Sequence, residues 1–415
     1  MIFAAALSSA LSLAGIFLVP LAIAGLALTN AGLGRSRSAA HAMTSSLCAV
    51  AVAGLAYFTC GFRLQGYPVS WNSLADAVRK PEFFLQGMDP GFGSLPILLG
   101  LFSVGLSALI PLGAAADRWR LAACWLSTLL FAAITYPAFA HLAWGGLLAR
   151  LANSSLGHGY LDAGGAGAIQ ATGGLTALAI AWLLEPRRGK YPASGMPAAI
   201  PAHNGVFVLF GCMLAWAGWL GLNAAGAIIY GRVPPENSLA IALNTSLAAS
   251  ASSLAAAVTT RVRFRRPDAS LIANGWMAGL VASSAGCAML KPATASLTGL
   301  LAGILVVLSV EWFELHLKVD DPCGSISVHA VGGIWGILAA GIFSGNSGQL
   351  VAQLTAIATL LGFTFPMSYG LNWAAARFVR YRISEHGEQQ GLDLDELGAD
   401  AYPEFVVHAD EFVQR

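Results

Sequence analysis

Eleven stretches of about 20 mostly apolar residues recur along the chain, and each has the length a helix needs to cross the hydrocarbon core of a bilayer. They fall at 8–29, 39–61, 95–116, 120–144, 162–184, 205–230, 238–260, 269–290, 292–314, 326–345 and 349–375. Hydrocarbon offers no partner for a free N–H or C=O, so runs of this length are read as helices that bond internally. A soluble helical core could imitate one or two of them, but not eleven in a row. Charge agrees: 10% of the 415 residues are Asp, Glu, Lys or Arg, where a soluble domain carries about 25%. Disorder, nucleic-acid binding and an ordinary cytosolic enzyme are thereby excluded. The fold class is all-α and polytopic.

The sixth to eighth runs are rich in Gly, Ala and Ser, which lets helix backbones approach closely, and the seventh is the least apolar. The N-terminus lacks a basic start and an obvious cleavage site, so it is read as a retained first helix rather than a signal peptide. Two long segments are not apolar: 62–94, with Trp71 and mixed charges, and a tail from Arg377 to Arg415. The division is therefore a transmembrane unit, 1–376, and a tail, 377–415. Of the 22 basic residues, 16 fall on the side holding the odd-numbered loops and the tail, leaving 6 opposite. Basic residues mark the cytoplasmic face, which puts the C-terminus inside and the N-terminus outside. The cluster RVRFRR at 261–266 is one of these inside loops. The six cysteines show no CxxC spacing and sit mostly in apolar runs, so they are read as small buried residues, not a disulfide or metal framework.

Ionisable groups at membrane depth are expensive and hence functional candidates. Asp162 opens the fifth run, and His329 lies early in the tenth. His41 and His141 lie near the ends of the second and fourth, and Glu311 and Glu314 close the ninth. Asp162 reads first as a cap for the free N–H groups of the helix after it, and second as an anion that steadies an arriving cation. A lone histidine such as His329 reads first as a satisfied core residue and second as a functional group. Trp144, Trp216 and Trp219 suit packing or an interfacial belt, though an aromatic face also holds a dehydrated cation. There is no P-loop, haem or zinc pattern, no paired nucleophile for His329, and no call for a cofactor. So little buried charge suits a narrow pore for a small neutral or easily neutralised solute.

Several segments resemble the ammonium transporter (Amt/Mep/Rhesus) family. KVDDPCGSISVHAVGGIWG (318–336) resembles the tract before and within its tenth helix, and ITYPAFAHLAWGGLL (134–148) the end of its fourth. LDAGGAG (161–167) resembles the start of the fifth, PAHNGVFVLFGCMLAWAGWLGLNAAGA (201–227) the sixth, and RISEHGEQQGLDLDELGADAY (382–402) the cytoplasmic tail motif. The resemblance implies a homotrimer with a pore in each subunit, two pseudo-symmetric five-helix halves plus an eleventh helix, and a place in the cell (inner) membrane. It also implies a tail that packs under the neighbouring subunit and meets a PII-type signalling protein. By match, Trp144 is the recruitment-site tryptophan and Asp162 the aspartate beneath the outer vestibule. His329 is the second pore histidine, Trp219 a pore-lining tryptophan, and Asn223 the asparagine near it. The departures concern the same region. The first pore histidine is Gln170, eight residues after Asp162, and a gating phenylalanine is Leu222. Its partner falls at Ser103, or at Phe102 one register away, and a recruitment-site serine is Gly226.

What the resemblance implies is passage of ammonia rather than ammonium. A bare cation in hydrocarbon costs tens of kcal/mol on a Born basis, whereas removing a proton from an amine of pKa about 10 at pH 7 costs roughly 4 kcal/mol. Glutamine offers the acceptor and donors of a neutral imidazole but takes no proton, so a two-histidine proton relay is interrupted at Gln170. Three readings follow: an ammonium/ammonia transporter, an ammonium sensor or regulatory member that conducts poorly, and a member with a changed small solute such as methylamine.

Overall fold

The computed structural model describes residues 2–67, 83–154, 156–193 and 195–402. Trp71 and the basic pair Arg79 and Lys80 lie outside the described residues, as does the end of the tail with Arg415. Among the described residues eleven apolar helices follow one another and no strand forms. They are α1 (Ala6–Leu33), α2 (Ser36–Gln65), α3 (Phe92–Ala114), α4 (Leu121–Asn153), α5 (Ala166–Leu184), α6 (Gly205–Ile229), α7 (Pro235–Phe264), α8 (Ala269–Ser283), α9 (Pro292–Leu315), α10 (Ile326–Phe343) and α11 (Ser347–Ala375). Ten of them are long and apolar enough to cross a membrane. The exception is α8. The apolar run at 269–290 predicts a full span, but the helix proper ends at Ser283 and the chain continues in turns to Leu290. Apolar composition persists through those turns, which is why the run alone overstates the helix.

Small residues set the packing, as the run composition predicts. One close pair is α1 with α6: a Cβ on Gly218 would lie 2.1 Å from the Ala22 nitrogen, and one on Gly221 would lie 2.3 Å from the Gly15 carbonyl. In α7 the low hydropathy reflects Ser and Thr whose hydroxyls fold back onto the helix: Thr245 donates to the Ile241 carbonyl at 2.8 Å and Thr260 to Ala256 at 2.9 Å. A helix built this way hides its polar groups, so α7 runs unbroken to Phe264. All six cysteines are free, and Cys124, Cys212, Cys287 and Cys323 are buried.

A repeat organises the centre. Asp162, Gly165, Gln170 and the pair Gly173–Gly174 stand at the same offsets as Asp321, Gly324, His329 and Gly332–Gly333. Both first glycines take left-handed backbone, at φ 83° and 69°, and both open a π-helical turn, at Ala166–Ala171 and Ile326–Val331. Each aspartate caps its own turn. Asp162 Oδ2 accepts from the Gly167 and Ala168 N–H groups at 3.1 and 2.8 Å, and Asp321 accepts from Ser325 and Ile326 at 3.0 and 2.7 Å. Contacts across the crossing are reciprocal: Gly174 abuts Ala330, and Gly333 abuts Ala171. Position 12 meets position 9 in both directions, as a pseudo-twofold axis between two halves requires.

The tail returns to the helix ends of its own chain. Asp393 accepts from the Ala40 and His41 N–H groups at 3.1 and 2.7 Å, capping the start of α2. Glu396 does the same for Leu121 of α4 at 2.7 Å and accepts from His41 Nε2 at 2.9 Å. Burial alone would raise the Glu396 pKa, but the His41 bond, the Leu121 N–H and Arg120 outweigh it and hold the carboxyl below its ordinary value. Glu396→Ala removes a cap and an ion pair together, which is worth about 1–2 kcal/mol. Local opening of the tail should rise roughly tenfold, measured as faster limited proteolysis C-terminal to Arg382 with the helical bundle left intact.

Candidate functional site

Two cavities lie at opposite ends of the repeat. The first, about 800 Å³, is lined by Trp144, Asp162, Ala163 and Tyr230, with Arg150, His158 and Arg232 toward its mouth. The second, about 430 Å³, is lined by Asp320, Asp321, Ser327, Arg187 and Glu314. The capping aspartate of each half therefore stands in one cavity.

Between them the chain is packed. Gln170, Trp219, Leu222 and His329 are 0, 0, 1 and 2% exposed. At the crossing, His329 Nδ1 meets Gln170 Oε1 at 2.8 Å. A carbonyl oxygen only accepts, so Nδ1 carries a proton, and in the neutral ring Nε2 then presents a lone pair. The Gln170 Nε2 amide is buried with no hydrogen-bond partner, as is the Ser327 hydroxyl, while the buried hydroxyls of Ser103 and Tyr136 have at most each other. Unpaired buried donors and acceptors cost about 1–3 kcal/mol each. Strung between two cavities, they suit a small solute that donates and accepts in turn. Ser107, one turn beyond Ser103 on α3, donates to the Ile169 carbonyl at 2.6 Å. That bond places Ser103 about a turn from Gln170 on the side of the first cavity.

The remaining candidates divide. Trp144 Nε1 donates to the Asp162 carbonyl at 2.9 Å, and its ring stacks on Tyr230 at 3.9 Å and 3°. Ser103 is fully buried, and Phe102 is half-buried against the core. Trp219 donates to Ser284 Oγ at 3.1 Å and lines neither cavity. Asn223 donates to Thr245 Oγ1 at 2.9 Å, and its Oδ1 fills the space where a Cβ on Gly164 would stand. It thereby ties α6 and α7 to the turn ahead of α5. Gly226 backs onto the Ala163 carbonyl, 2.2 Å from where a Cβ would sit, so a serine there would not fit without moving the turn. Tyr230, Tyr136, Asp321 and Ser327 are additions. Asp321 is recoverable from the eight-residue offset to His329, which equals that of Asp162 to Gln170. No sequence pattern signals Tyr230, because its partner Trp144 is remote in the chain.

A model of the Ammonium Transporter Family matches residues 10–402. The chain belongs to that family. Among similar proteins of the family is ammonium transporter Amt2 of Archaeoglobus fulgidus, 33% identical over 94% of this chain and 87% of that one. Another is ammonium transporter Amt1 of Haloferax mediterranei, 30% identical over 92% of this chain and 76% of that one. Of solved structures, one titled "Sensor Amt Protein" superposes with a TM-score of 0.87 at 26% identity, covering 95% of this chain and 99% of that one. Candida albicans Mep2 gives 0.78 at 23% identity, over 96% and 90%, and at that identity speaks for the fold alone. The chain is accordingly a multi-pass membrane protein of a transporter family.

Proposed function

We propose that this chain moves ammonium nitrogen across a membrane by passing ammonia through the packed crossing between its two cavities. The observation that carries this reading is the buried Gln170–His329 pair, joined at 2.8 Å, where a family transporter needs its solute to be stripped of charge. The first cavity receives the cation: Trp144 offers a ring and Asp162 a carboxylate. The cation gives its proton to the water of that cavity at a cost of roughly 4 kcal/mol at pH 7, against tens for the bare ion. Ammonia then donates to His329 Nε2 and accepts from Gln170 Nε2 on its way to Ser327 and the second cavity. Potassium has no proton to shed and is refused.

The basic-residue count supports a first cavity that faces outward and a tail that faces the cytoplasm in a cell (inner) membrane, with α8 and its following turns completing an eleventh crossing. Residues 1–376 form the transmembrane unit and 377–415 the cytoplasmic tail. Family membership supports a homotrimer, a tail surface for a PII-type protein and a role that is not enzymatic. Ser103, Phe102, Leu222, Trp219, Asn223 and Gly226 act around the path, by shape and by holding its turns.

The test is ammonium-driven flux and current, measured together in vesicles holding the purified protein. Flux above that of empty liposomes with little current is expected for the wild type, because Gln170 takes no proton. Gln170→His restores a second titratable ring, and current per unit flux should rise roughly tenfold, in-line proton transfer groups being worth at least that. Flux equal to empty liposomes, together with saturable ammonium binding, would overturn transport in favour of sensing.

A further inference from the structure

We infer that Tyr230 is the outer gate of the conduit and the second wall of its cation site, so that a small protonated amine binds by parting Tyr230 from Trp144 and sitting between the two rings. This rests on the transport reading for the identity of the ligand, but the geometry is its own. The rings are almost parallel, 3° apart with centroids at 3.9 Å. Aromatic faces are electron-rich, and pairs prefer offset or edge-to-face arrangements at about 4.5–7 Å over a close sandwich. Two negative faces pressed together are the arrangement a cation relieves. Seated between them at contact distances of about 3.5 Å each, it needs the rings to open to about 7 Å.

The two rings are not equally free to move. Trp144 is held by its indole N–H on the Asp162 carbonyl at 2.9 Å, whereas the Tyr230 hydroxyl reaches the Pro96 carbonyl only at 3.3 Å, beyond ordinary O–H···O length, and otherwise meets the side chain of Tyr67, the last described residue before Phe83. Tyr230 also follows the last residue of α6 and precedes Gly231 and Arg232, the latter in left-handed backbone at φ 52°. Tyr230 is therefore the leaf that swings. A second observation points to a cation: Asp162 Oδ1 is buried beside this stack with no hydrogen-bond partner, while Oδ2 is spent on the helix cap. Long-range attraction does not explain capture, since Arg150 and Arg232 share the same cavity. Recognition comes from the rings and one carboxylate oxygen.

The experiment titrates ammonium against intrinsic tryptophan fluorescence of the full-length protein in detergent and, in parallel, against initial flux in vesicles. Losing one aromatic wall should raise the half-saturating ammonium concentration of Tyr230→Ala about 3- to 30-fold. Tyr230→Leu, which keeps bulk without a ring, should shift the same way and serves if the alanine variant folds poorly. Tyr230→Phe keeps the wall and drops the hydroxyl's contacts with Pro96 and Tyr67, neither of which touches the space between the rings, so it should stay within about threefold of wild type. An unchanged half-saturation in both ring-less variants would overturn the inference, as would a phenylalanine variant as impaired as the alanine one. Absence of flux in the wild type would sink the transport reading alone, because the fluorescence titration still reads the site.

Discussion

Arg187→Ala is expected to destabilise the folded protein by about 3–5 kcal/mol, the usual consequence of taking one partner from a buried ion cluster. In a detergent melt this corresponds to a fall on the order of 10 °C. The guanidinium is 3% exposed and makes three hydrogen bonds, to which the backbone adds a fourth. Its Nε and Nη2 embrace both oxygens of Asp320 at 2.9 and 3.0 Å, Nη1 donates to Asp117 at 2.9 Å, and its own backbone N–H adds a bond to Asp320 at 2.8 Å. Arg118 closes the cluster, donating to the Glu185 and Asp320 carbonyls at 2.8 and 2.7 Å. The cluster joins the end of α3, the end of α5 and the segment before α10, next to the Asp321 cap. Without Arg187, two carboxylates stay buried with Arg118 and Arg35 as poorer partners, and the second cavity loses its floor.

The same cluster gives a pH signature. Burial alone would raise the Asp320 pKa, but Arg118 and Arg187 overcome it and hold the carboxyl at about 2, below the ordinary 3.8. A depressed carboxyl contributes stability that is complete above its unfolded value and lost as pH falls through its folded one. The wild type should therefore lose about 2 kcal/mol between about pH 4 and pH 2. The Arg187→Ala protein has less to lose, so the gap between the two melting temperatures should narrow as the pH falls through that window. A gap that stays constant would mean the cluster acts through packing rather than charge.

How legible all this was in the chain depends on the range of the interaction. Apolar runs report on the local solvent, so the helices could be read, with α8 overextended because apolar turns look like helix. Asp162 as a cap was also local: the N–H groups that donate to it lie five and six residues on. Which groups face one another across the crossing is another matter. The eight-residue offset placed Gln170 opposite a histidine only by resemblance, and the 2.8 Å bond to His329 spans 159 positions. Trp219 and Asn223 resemble pore residues by their neighbours in sequence, yet their polar atoms face Ser284 and Thr245, contacts that no spacing rule encodes. Tyr230 is the clearest miss. A tyrosine after a transmembrane helix reads as an interfacial anchor, and only the fold reveals the ring it covers.

Gly174→Ala is the other change expected to have a large effect, because it tests whether the crossing must be this close. A Cβ there would lie 2.2 Å from the Ala330 nitrogen and 2.7 Å from the His329 carbonyl carbon. Both are backbone atoms inside a helix and cannot turn aside as a side chain could. Ordinary contact begins near 3.4 Å, so the two helices must separate by about 1 Å. That stretches the Gln170–His329 bond from 2.8 Å to nearly 4 Å, where it no longer counts as one. His329 loses the acceptor that fixes its tautomer, and flux should fall at least about tenfold in protein that remains monodisperse, a step of 1.4 kcal/mol or more at the barrier. Gly333→Ala, whose Cβ would meet the Ala166 carbonyl at 2.6 Å from the other half, should act in the same direction and less strongly. Gly370→Ala in α11 has nothing within 4 Å of the new methyl and should be silent. If instead Gly174→Ala conducts like the Gly370 control, the pair at the crossing is a packing detail, and the solute takes a route that does not pass between Gln170 and His329.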